Sequence, residues 1–480
     1  MIHRELLLNG VFLGGPCDQG IGKEIAVSPW DGRRIGTFAE GGWAEMDAAL
    51  ACATQAFEVY RKGSLAERGD LLARISEAVT ERGDELAELL VLEVGKPITA
   101  ARAEVKRTAL TFGLAADLAR SLEPESVDLS YDPRGSNYRA EVRRRPVGPV
   151  LAIVPWNWPY NLAAHKIAPA LLAGCPVVLK PSTAAALCTL SLARLIHECG
   201  CPAGVVNAIA CPNAIAEKAV RDPRVKFLSF TGSEAVGWRL KELVPDRKVS
   251  LELGGDASAI LCEDADLDHA LPLVLNGAFA YAGQICISVQ HLRVHESLRD
   301  AVVERLLPMI ENLPCGDPAL AATVVGPVIH AAAAEKIEHL LASAVAAGAN
   351  VLAGGKRTGN LIAPTLIANV PANHSLACDE VFGPILTITT FTNDAEAIAL
   401  TNAGRFGLQA GVFTASKDRA ERYIKNLEVG GIVTNDVPTV RFDAMPYGGV
   451  KRSGFGREGV RYAYEEMTEP LAVVQRTLDN

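Results

Sequence analysis

The sequence predicts an α/β protein carrying two parallel sheets, and three observations predict it. Between residues 150 and 253 short apolar stretches alternate with helical ones, in the rhythm that builds a doubly wound sheet. Beyond Gly255 the alternation resumes with new members, so a single sheet does not absorb it. A chain of 480 residues, 49% apolar and 21% charged, is also long enough for two or three domains with large cores.

Residues 5–40 read as short β segments turning at Gly14-Gly15 and Asp31-Gly32. The period then becomes helical over Ala44–Tyr60, Ala66–Arg82 and Asp84–Glu93, the last closed by Gly95-Lys96-Pro97, and again from about Ala100 to Leu122. The stretch 124–136 is rich in turn residues, and Tyr138–Arg145 alternates as an exposed strand does. Five apolar strands follow, Val150–Val154, Val177–Leu179, Val205–Ile209, Phe227–Phe230 and Val249–Leu253. The helices between them are Asn161–Ala173, Ala184–Cys199, Ala214–Val220 and Ser233–Val244. In such a sheet ligands lie at the carboxyl ends of the strands.

The second series runs through strand Ala259–Leu261, helix Ala270–Ala282, strand Leu292–His295, and helices Asp300–Leu313 and Ala331–Ala347. It closes with strand Ile385–Phe391, helix Ala395–Ala403, strand Ala410–Phe413, helix Lys417–Leu427 and strand Ile432–Thr434. A last strand, Leu471–Arg476, could pair with another segment or another subunit.

A net charge of −9 and a pI near 5.6 argue against a nucleic-acid or anionic-membrane surface. The first ten residues have too short an apolar core for a secretory signal, and no stretch reaches membrane-spanning length, so a cytoplasmic protein is expected. Eleven cysteines, spread from Cys17 to Cys378 without a Cys-x-x-Cys pair, read as small apolar groups in a reducing compartment. His197 beside Cys199 and Cys201 lacks a second ligand pair, and no metal is expected.

Chemistry concentrates at a few positions. The apolar helix ahead of Gly283 delivers one thiol, Cys286, onto a loop, and Glu252 precedes Gly254-Gly255 at a strand end. A thiol that attacks and a carboxylate that activates water are the two parts of a covalent route to an acid. Asn157, in the turn Pro155-Trp156-Asn157-Trp158-Pro159, could donate to an oxyanion, or simply bond its own backbone as turn asparagines do. Lys180 ends the strand before Pro181-Ser182-Thr183, where a nucleotide would lie; alone it is a solvated lysine, as Lys166 is an ordinary helix-surface lysine. The turn Phe230-Thr231-Gly232-Ser233 opens a helix whose amides suit a pyrophosphate, although Gly-x-Gly-x-x-Gly is absent and a capped turn explains it equally. Glu380, before Val381-Phe382-Gly383-Pro384, could accept from both hydroxyls of a ribose.

The order of these pieces resembles the aldehyde dehydrogenase superfamily. Pro155–Pro159, Lys180–Ser182, Phe230–Ser233, Glu252–Gly255, Gly283–Cys286, Glu380–Pro384 and Pro446–Gly454 match its motifs across essentially the whole chain. The resemblance implies an NAD(P)-dependent oxidation of an aldehyde to an acid. Cys286 is then the nucleophile, with a thiol pKa lowered by its surroundings. Asn157 and the Cys286 amide form the oxyanion hole, Glu252 is the base for thioester hydrolysis, and Lys166 is a tuning lysine. NAD or NADP is implied against Pro155, Trp156, Lys180, Ser182, Thr183, Gly232, Ser233, Leu253, Glu380 and Phe382. The family fold has three parts: a dinucleotide domain over 1–123 and 144–252, a catalytic domain over 253–445, and an oligomerisation element of 124–143 with the tail 446–480. A homodimer or homotetramer is implied with it.

Residues 441–449 and 461–467 resemble a subset of the family acting on small oxygenated or anionic aldehydes. Arg107 and Arg441 are candidates for an anionic tail, with Trp158, Ile285 and Ile287 lining the substrate. Ile285 stands where members that grip a strong anion often carry arginine, which speaks against a phosphate-bearing substrate. A CoA-acylating relative is the alternative, but such relatives typically lack the Glu252 carboxylate. An acyl-phosphate reductase fits the Pro155–Pro159 and Glu252–Gly255 segments poorly, and a silent binding protein would have lost Cys286, Glu252 or Asn157. Thr183 replaces the glutamate that NAD-preferring relatives place three residues after Lys180, so NADP is expected to be accepted.

Overall fold

A computed structural model describes residues 1–15 and 20–477; Cys17 lies outside them. Its first sheet has the parallel strands Lys248–Glu252, Phe227–Thr231, Val150–Ile153, Val177–Lys180 and Val206–Ala208 side by side in that order. Among these parallel strands the chain starts in the middle, at Val150–Ile153, and winds outwards through 177–180 and 206–208. It then crosses back to 227–231 and 248–252 on the other side. The strand order therefore reverses between 150–153 and 227–231, and the loops leaving those two strands part to open a crevice. Ile153 pairs with Lys180 and with Phe230, and Thr231 pairs with Glu252, so the carboxyl ends stand level. Gly454–Phe455 runs antiparallel along Leu251 and Glu252 at one edge, and Leu6–Leu8 with Val11–Leu13 closes the other.

The helix Pro159–Ala173, between the first two strands, is buried along its whole length. Pro159 is set for a first helical turn, and Gly174 (φ 87°) closes the last in the left-handed conformation that glycine favours. Glu104, from the helix Ile98–Ser121, accepts the leading amides of Tyr160 and Asn161 at 2.9 and 3.3 Å and is itself ion-paired to buried Lys96. A carboxylate from a neighbouring helix thus takes the place of a local cap.

The second sheet runs Asn350–Ala353, Thr365–Ala368, Ile385–Phe391, His291–His295, Ser258–Leu261, Gln409–Phe413 and Gly431–Thr434, parallel except for the first. Predicted elements of both series stand within a few residues of their expected bounds. Sequence reading missed Asn350–Ala353 and Thr365–Ala368, because four-residue apolar runs carry no period of their own. A third sheet joins Glu125–Val127, Tyr138–Pro146 and Thr468–Arg476, the last two paired from Thr468–Pro146 to Arg476–Tyr138. Not all of 446–480 belongs there: Gly454–Phe455 is an edge of the first sheet, and the helix Val460–Glu466 buries Val460 and Tyr464 in that sheet's core. No helix among the described residues is long and apolar enough to cross a membrane.

His291 opens a central strand of the second sheet, buried, with Nδ1 2.7 Å from Thr387 Oγ1. Thr387 Oγ1 gives its own proton to the Gln290 carbonyl at 3.2 Å, so Nδ1 carries the ring proton. Burial, then the nearby Arg293, hold the imidazole neutral down to a pKa of about 3, against 6.5 for an ordinary histidine. The folded state thus binds fewer protons than the unfolded one between those values, and stability is lost as pH falls through that window. At pH 5.5 the loss from this one group is about 1.4 kcal/mol relative to neutrality. Urea unfolding at pH 7.5 and 5.5 tests it: His291→Gln should be less acid-sensitive than the parent by about that amount, and equal sensitivity would exclude the imidazole as the cause.

Candidate active site

Four side chains at the level carboxyl ends define one wall of the site: Asn157 after the first strand, Lys180 and Thr231 at strand ends, and Glu252 closing the last. Asn157 is buried and donates Nδ2 to the Gln284 carbonyl at 3.0 Å, which fixes its amide plane against the loop carrying Cys286. Glu252 is 3% exposed, and neither of its carboxylate oxygens has a hydrogen-bond partner. Burial, then the field of Glu458, hold its carboxyl well above the usual range, against the pull of Arg441 and Lys166.

The second sheet's domain brings the thiol. Asp266 caps the helix Leu267–Phe279 by accepting from the amides of Asp268 and His269. The chain then turns through Tyr281, Ala282 and Gly283, all with left-handed φ of 53–66°. Two of these are not glycine and are strained there, while at Gly283 a side chain would run into the Gly383 carbonyl. Gln284 secures the turn: its amide donates to Tyr281 and Pro327 carbonyls at 3.3 Å and its oxygen accepts from Ile329 N at 2.9 Å. Cys286 follows, with Sγ 3.0 Å from Tyr447 Oη, beside the apolar cluster of Ile287, Leu408 and Tyr447 on which Ile285 and Met445 also pack. Its thiol is not lowered as expected. Burial raises it to about 11, Glu380 and Glu252 add to that, and only Tyr447 and Arg441 oppose. The motif revealed a thiol, not how dry its surroundings are.

Behind the thiol lies a cluster of buried charges. Lys166 Nζ donates to Glu458 Oε1 at 2.8 Å, Thr231 Oγ1 at 2.7 Å and Ser229 Oγ at 3.1 Å, so the supposed surface lysine is wholly buried. Arg441 donates to Glu458 Oε2 at 3.1 Å and stacks its guanidinium 3.7 Å from the Tyr447 ring centroid. Burial opposes the charge on Glu458, but Lys166 and Arg441 prevail and hold its carboxyl well below the usual range. Sequence reasoning missed Glu458 and Tyr447; the only available signals were a carboxylate in the turn-like run Gly456-Arg457-Glu458-Gly459 and the tyrosine of Pro446-Tyr447-Gly448.

Between the strands at the switch point run two adjoining cavities, of about 390 and 270 Å³, that share Pro155, Trp156, Thr231, Gly232 and Ser233. The outer is also lined by Lys180, Ser182, Asn213 and Arg239; the inner by Asn157, Glu252, Leu253, Glu380, Phe382 and Cys286. Ser233 caps the helix Glu234–Leu243 without a side-chain bond, leaving its first amides free for an anion. Lys180 donates to Asn213 Oδ1 at 3.0 Å. Glu380 Oε1 accepts from Gly255 N at 3.2 Å while its carboxylate lies across Gly254, where any side chain would displace it. Burial raises Glu380 to about 7. Phe382 (φ 54°) stands edge-on to Trp156, ring centroids 5.6 Å apart. Thr183 is exposed and lines neither cavity. An elongated crevice with free helix amides at its waist and a carboxylate at its inner end fits a dinucleotide.

Arg107, which lines neither cavity, gives Nη2 and Nε to Asp443 at 2.6 and 3.1 Å and lies over the Trp158 ring. His165 Nε2 meets the same carboxylate at 2.9 Å. Arg107 keeps 27% of its side chain exposed, whereas Arg441 keeps 6% and has a buried, unpartnered Nε.

The aldehyde dehydrogenase family model matches residues 19–473. The chain belongs to this family. It is 41% identical over 409 residues to a 3-sulfolactaldehyde dehydrogenase of Priestia aryabhattai, covering 85% of this chain and 86% of that protein. Its fold matches aldehyde dehydrogenase 21 of Physcomitrella patens, solved with the reaction product succinate, at a TM-score of 0.96 and 35% identity over 99% and 98% of the two chains. It also matches the NADP-dependent glyceraldehyde-3-phosphate dehydrogenase of Bacillus halodurans, solved with NADP, at 0.95 and 34% identity over the full length of both. As a member of this family the chain is an oxidoreductase acting on aldehydes.

In this dehydrogenase Glu458 sets the charge balance around Glu252, and neutralising it tests that. With Glu458→Gln, Lys166 and Arg441 lose their counter-charge, and the repulsion that helps keep Glu252 protonated disappears. The acid limb of the kcat profile should move to lower pH, and the fold should lose about 3 kcal/mol, as when one partner of a buried pair is removed. An unmoved limb would show that burial alone governs Glu252.

Proposed function

We propose that this aldehyde dehydrogenase uses NAD or NADP to oxidise a small aldehyde with an anionic end to its carboxylic acid, through Cys286. One observation carries the reading. Among the described residues Cys286 is the only thiol lining the dinucleotide crevice, and there it faces an oriented amide, Asn157, and an unpartnered carboxylate, Glu252. The Cys286 thiolate adds to the carbonyl carbon. The second N–H of Asn157 and the Cys286 amide, which makes no hydrogen bond among the described residues, receive the oxyanion. Phe382 and Glu380, which line the inner cavity, would hold the nicotinamide cofactor, which when bound would accept the hydride. The acyl group left on Cys286 is a thioester. Glu252 takes a proton from water, the water oxygen attacks the acyl carbon, and the Cys286 thiolate leaves. Both the thiol and Glu252 are held protonated by burial, so activity should climb as pH rises above neutrality.

Cys286→Ala should retain fold and cofactor binding and lose at least a thousandfold in kcat. Glu252→Gln should complete hydride transfer once and then accumulate an acyl adduct on Cys286, visible by rapid-quench mass spectrometry. Undiminished multiple turnover in either variant would remove that residue from the mechanism, and turnover that required CoA would favour the acyl-transferring alternative.

Arg107 supports the anionic preference: partly exposed, held by Asp443 through two nitrogens, it keeps Nη1 for a ligand. Arg441 is spent on Glu458 and Tyr447. Three relatives' names agree in chemistry, since sulfolactaldehyde, succinate and glyceraldehyde 3-phosphate all carry an anion, whereas the lactaldehyde named for others is oxygenated but neutral. Across C2–C4 aldehydes, kcat/KM for succinate semialdehyde and 3-sulfolactaldehyde should exceed that for propionaldehyde by tenfold or more, and Arg107→Leu should erase the difference. No preference in the parent would overturn the assignment.

For the cofactor, the neutral Thr183 leaves Lys180 without an opposing carboxylate three residues on. NADP should be used within about tenfold of NAD in kcat/KM, a gap of about 1.4 kcal/mol, and Thr183→Glu should depress NADP use selectively. A preference for NAD above a hundredfold would mean that another group excludes the 2′-phosphate. A cytoplasmic homodimer or homotetramer completes the reading; the oligomer is supported by the strand Thr468–Arg476, whose outer edge is unpaired among the described residues.

A further inference from the structure

Tyr447 Oη has one hydrogen-bond partner among the described residues, the Cys286 sulfur at 3.0 Å, and that sulfur has no other. The pairing is reciprocal, and its phenol side is buried: Cys286 is partly exposed but Tyr447 is 3% exposed, in a cluster with Ile287 and Leu408 where phenylalanine would fill the same space. A phenol placed in such surroundings costs stability unless its hydroxyl is used. Its position is clamped. Tyr447 N donates to the Glu458 carbonyl at 3.0 Å, Glu458 N donates back at 2.6 Å, and the Arg441 guanidinium, itself tied to Glu458, covers the ring face. A cation on the face draws electron density from the ring and makes the phenol a stronger donor.

We infer that Tyr447 is the residue that makes Cys286 reactive, by donating its phenolic hydrogen to the thiolate; the inference rests on the reading of Cys286 as the nucleophile. The step is an ionisation. The Cys286 S–H bond breaks, the electron pair stays on sulfur, and the proton passes to Glu252 once that carboxyl has given its own proton to solvent; Glu252 passes it on to solvent before it serves in hydrolysis. Tyr447 does not compete for it, because burial holds its hydroxyl un-ionised far above neutral pH. With the sulfur neutral, either partner can donate; with the sulfur anionic, only Tyr447 can, and the bond becomes charge-assisted. In the thioester the sulfur is a poor acceptor and the hydroxyl is released. The same bond therefore favours the thiolate twice, when it forms before attack and when it leaves during hydrolysis. It also answers a difficulty of the site. Burial and two carboxylates push the thiol up, and the groups pulling it down are this hydroxyl and the arginine on its ring.

The test is the pH profile of Cys286 alkylation by iodoacetamide from pH 6 to 11, followed by peptide mass spectrometry in the parent and in Tyr447→Phe. The inflection should rise by about one pH unit in the variant, so that alkylation at pH 7.5 slows about tenfold. The displacement should hold across the range below the inflections, with NADP binding and thermal midpoint unchanged. An unmoved inflection in a folded variant overturns the inference. So does faster alkylation at every pH, which would make the tyrosine a steric gate. Should the phenylalanine variant fail to fold, 3,5-difluorotyrosine at 447 acidifies the hydroxyl with little change of shape, and the inflection must then fall. If alkylated Cys286 leaves dehydrogenase activity intact, the nucleophile reading fails, whatever the profile shows.

Discussion

Glu458 is the constraint on which the site depends. A carboxylate 1% exposed is tolerable only where its charge is met, and it is met from two directions: Lys166 out of the fully buried helix Pro159–Ala173, and Arg441 out of the loop that precedes Tyr447. Its backbone is bridged to Tyr447 as well. One buried anion thus pins the first sheet's central helix to the C-terminal loop that closes over the thiol. A pair of this kind contributes little net stability compared with apolar packing, yet breaking it is costly. What it contributes is a fixed geometry for Tyr447, Arg441 and, through Thr231 and Lys166, the end of the strand beside Glu252.

The same dryness that makes this cluster rigid governs the chemistry. Burial pushes Glu252, Glu380 and Cys286 all toward their protonated forms, and each must lose a proton or meet a partner to act. The crevice is therefore poised rather than charged: few of its reacting groups carry their working charge at rest. Neighbouring donors decide which proton goes first, Gly255 N at Glu380 and Tyr447 Oη at Cys286. Strain is kept beside these groups, in the left-handed run Tyr281–Gly283 and at Phe382, where the surrounding structure over-determines the backbone.

Much of the fold was legible because parallel, doubly covered strands write themselves as apolar runs between helices. The strands at 150–153, 177–180, 227–231 and 248–252 fall within a residue or so of where periodicity put them. Asn157, Lys180, Ser233, Glu252, Cys286 and Glu380 were legible too, since turn and strand-end motifs are contiguous in the chain. The short strands at 350–353 and 365–368 were not, having no period to display. Nor were Glu458, Asp443 and Tyr447, which act through partners 161 to 292 residues away in the chain.

By itself, then, the amino-acid sequence determined the two-sheet α/β architecture, the level row of polar residues at strand ends, and the identity of the thiol and carboxylate, because these follow from local period and local motif. Tertiary structure decided which charges are buried and against what. Lys166 reads as a surface lysine until the helix that carries it is covered on every side. Arg441 reads as a substrate contact until Glu458 and Tyr447 claim it, which leaves Arg107 nearer the solvent. The thiol's ionisation was open to neither period nor motif. It depends on desolvation and on the field of groups brought together from four stretches of chain, and those distances exist only once the molecule is folded.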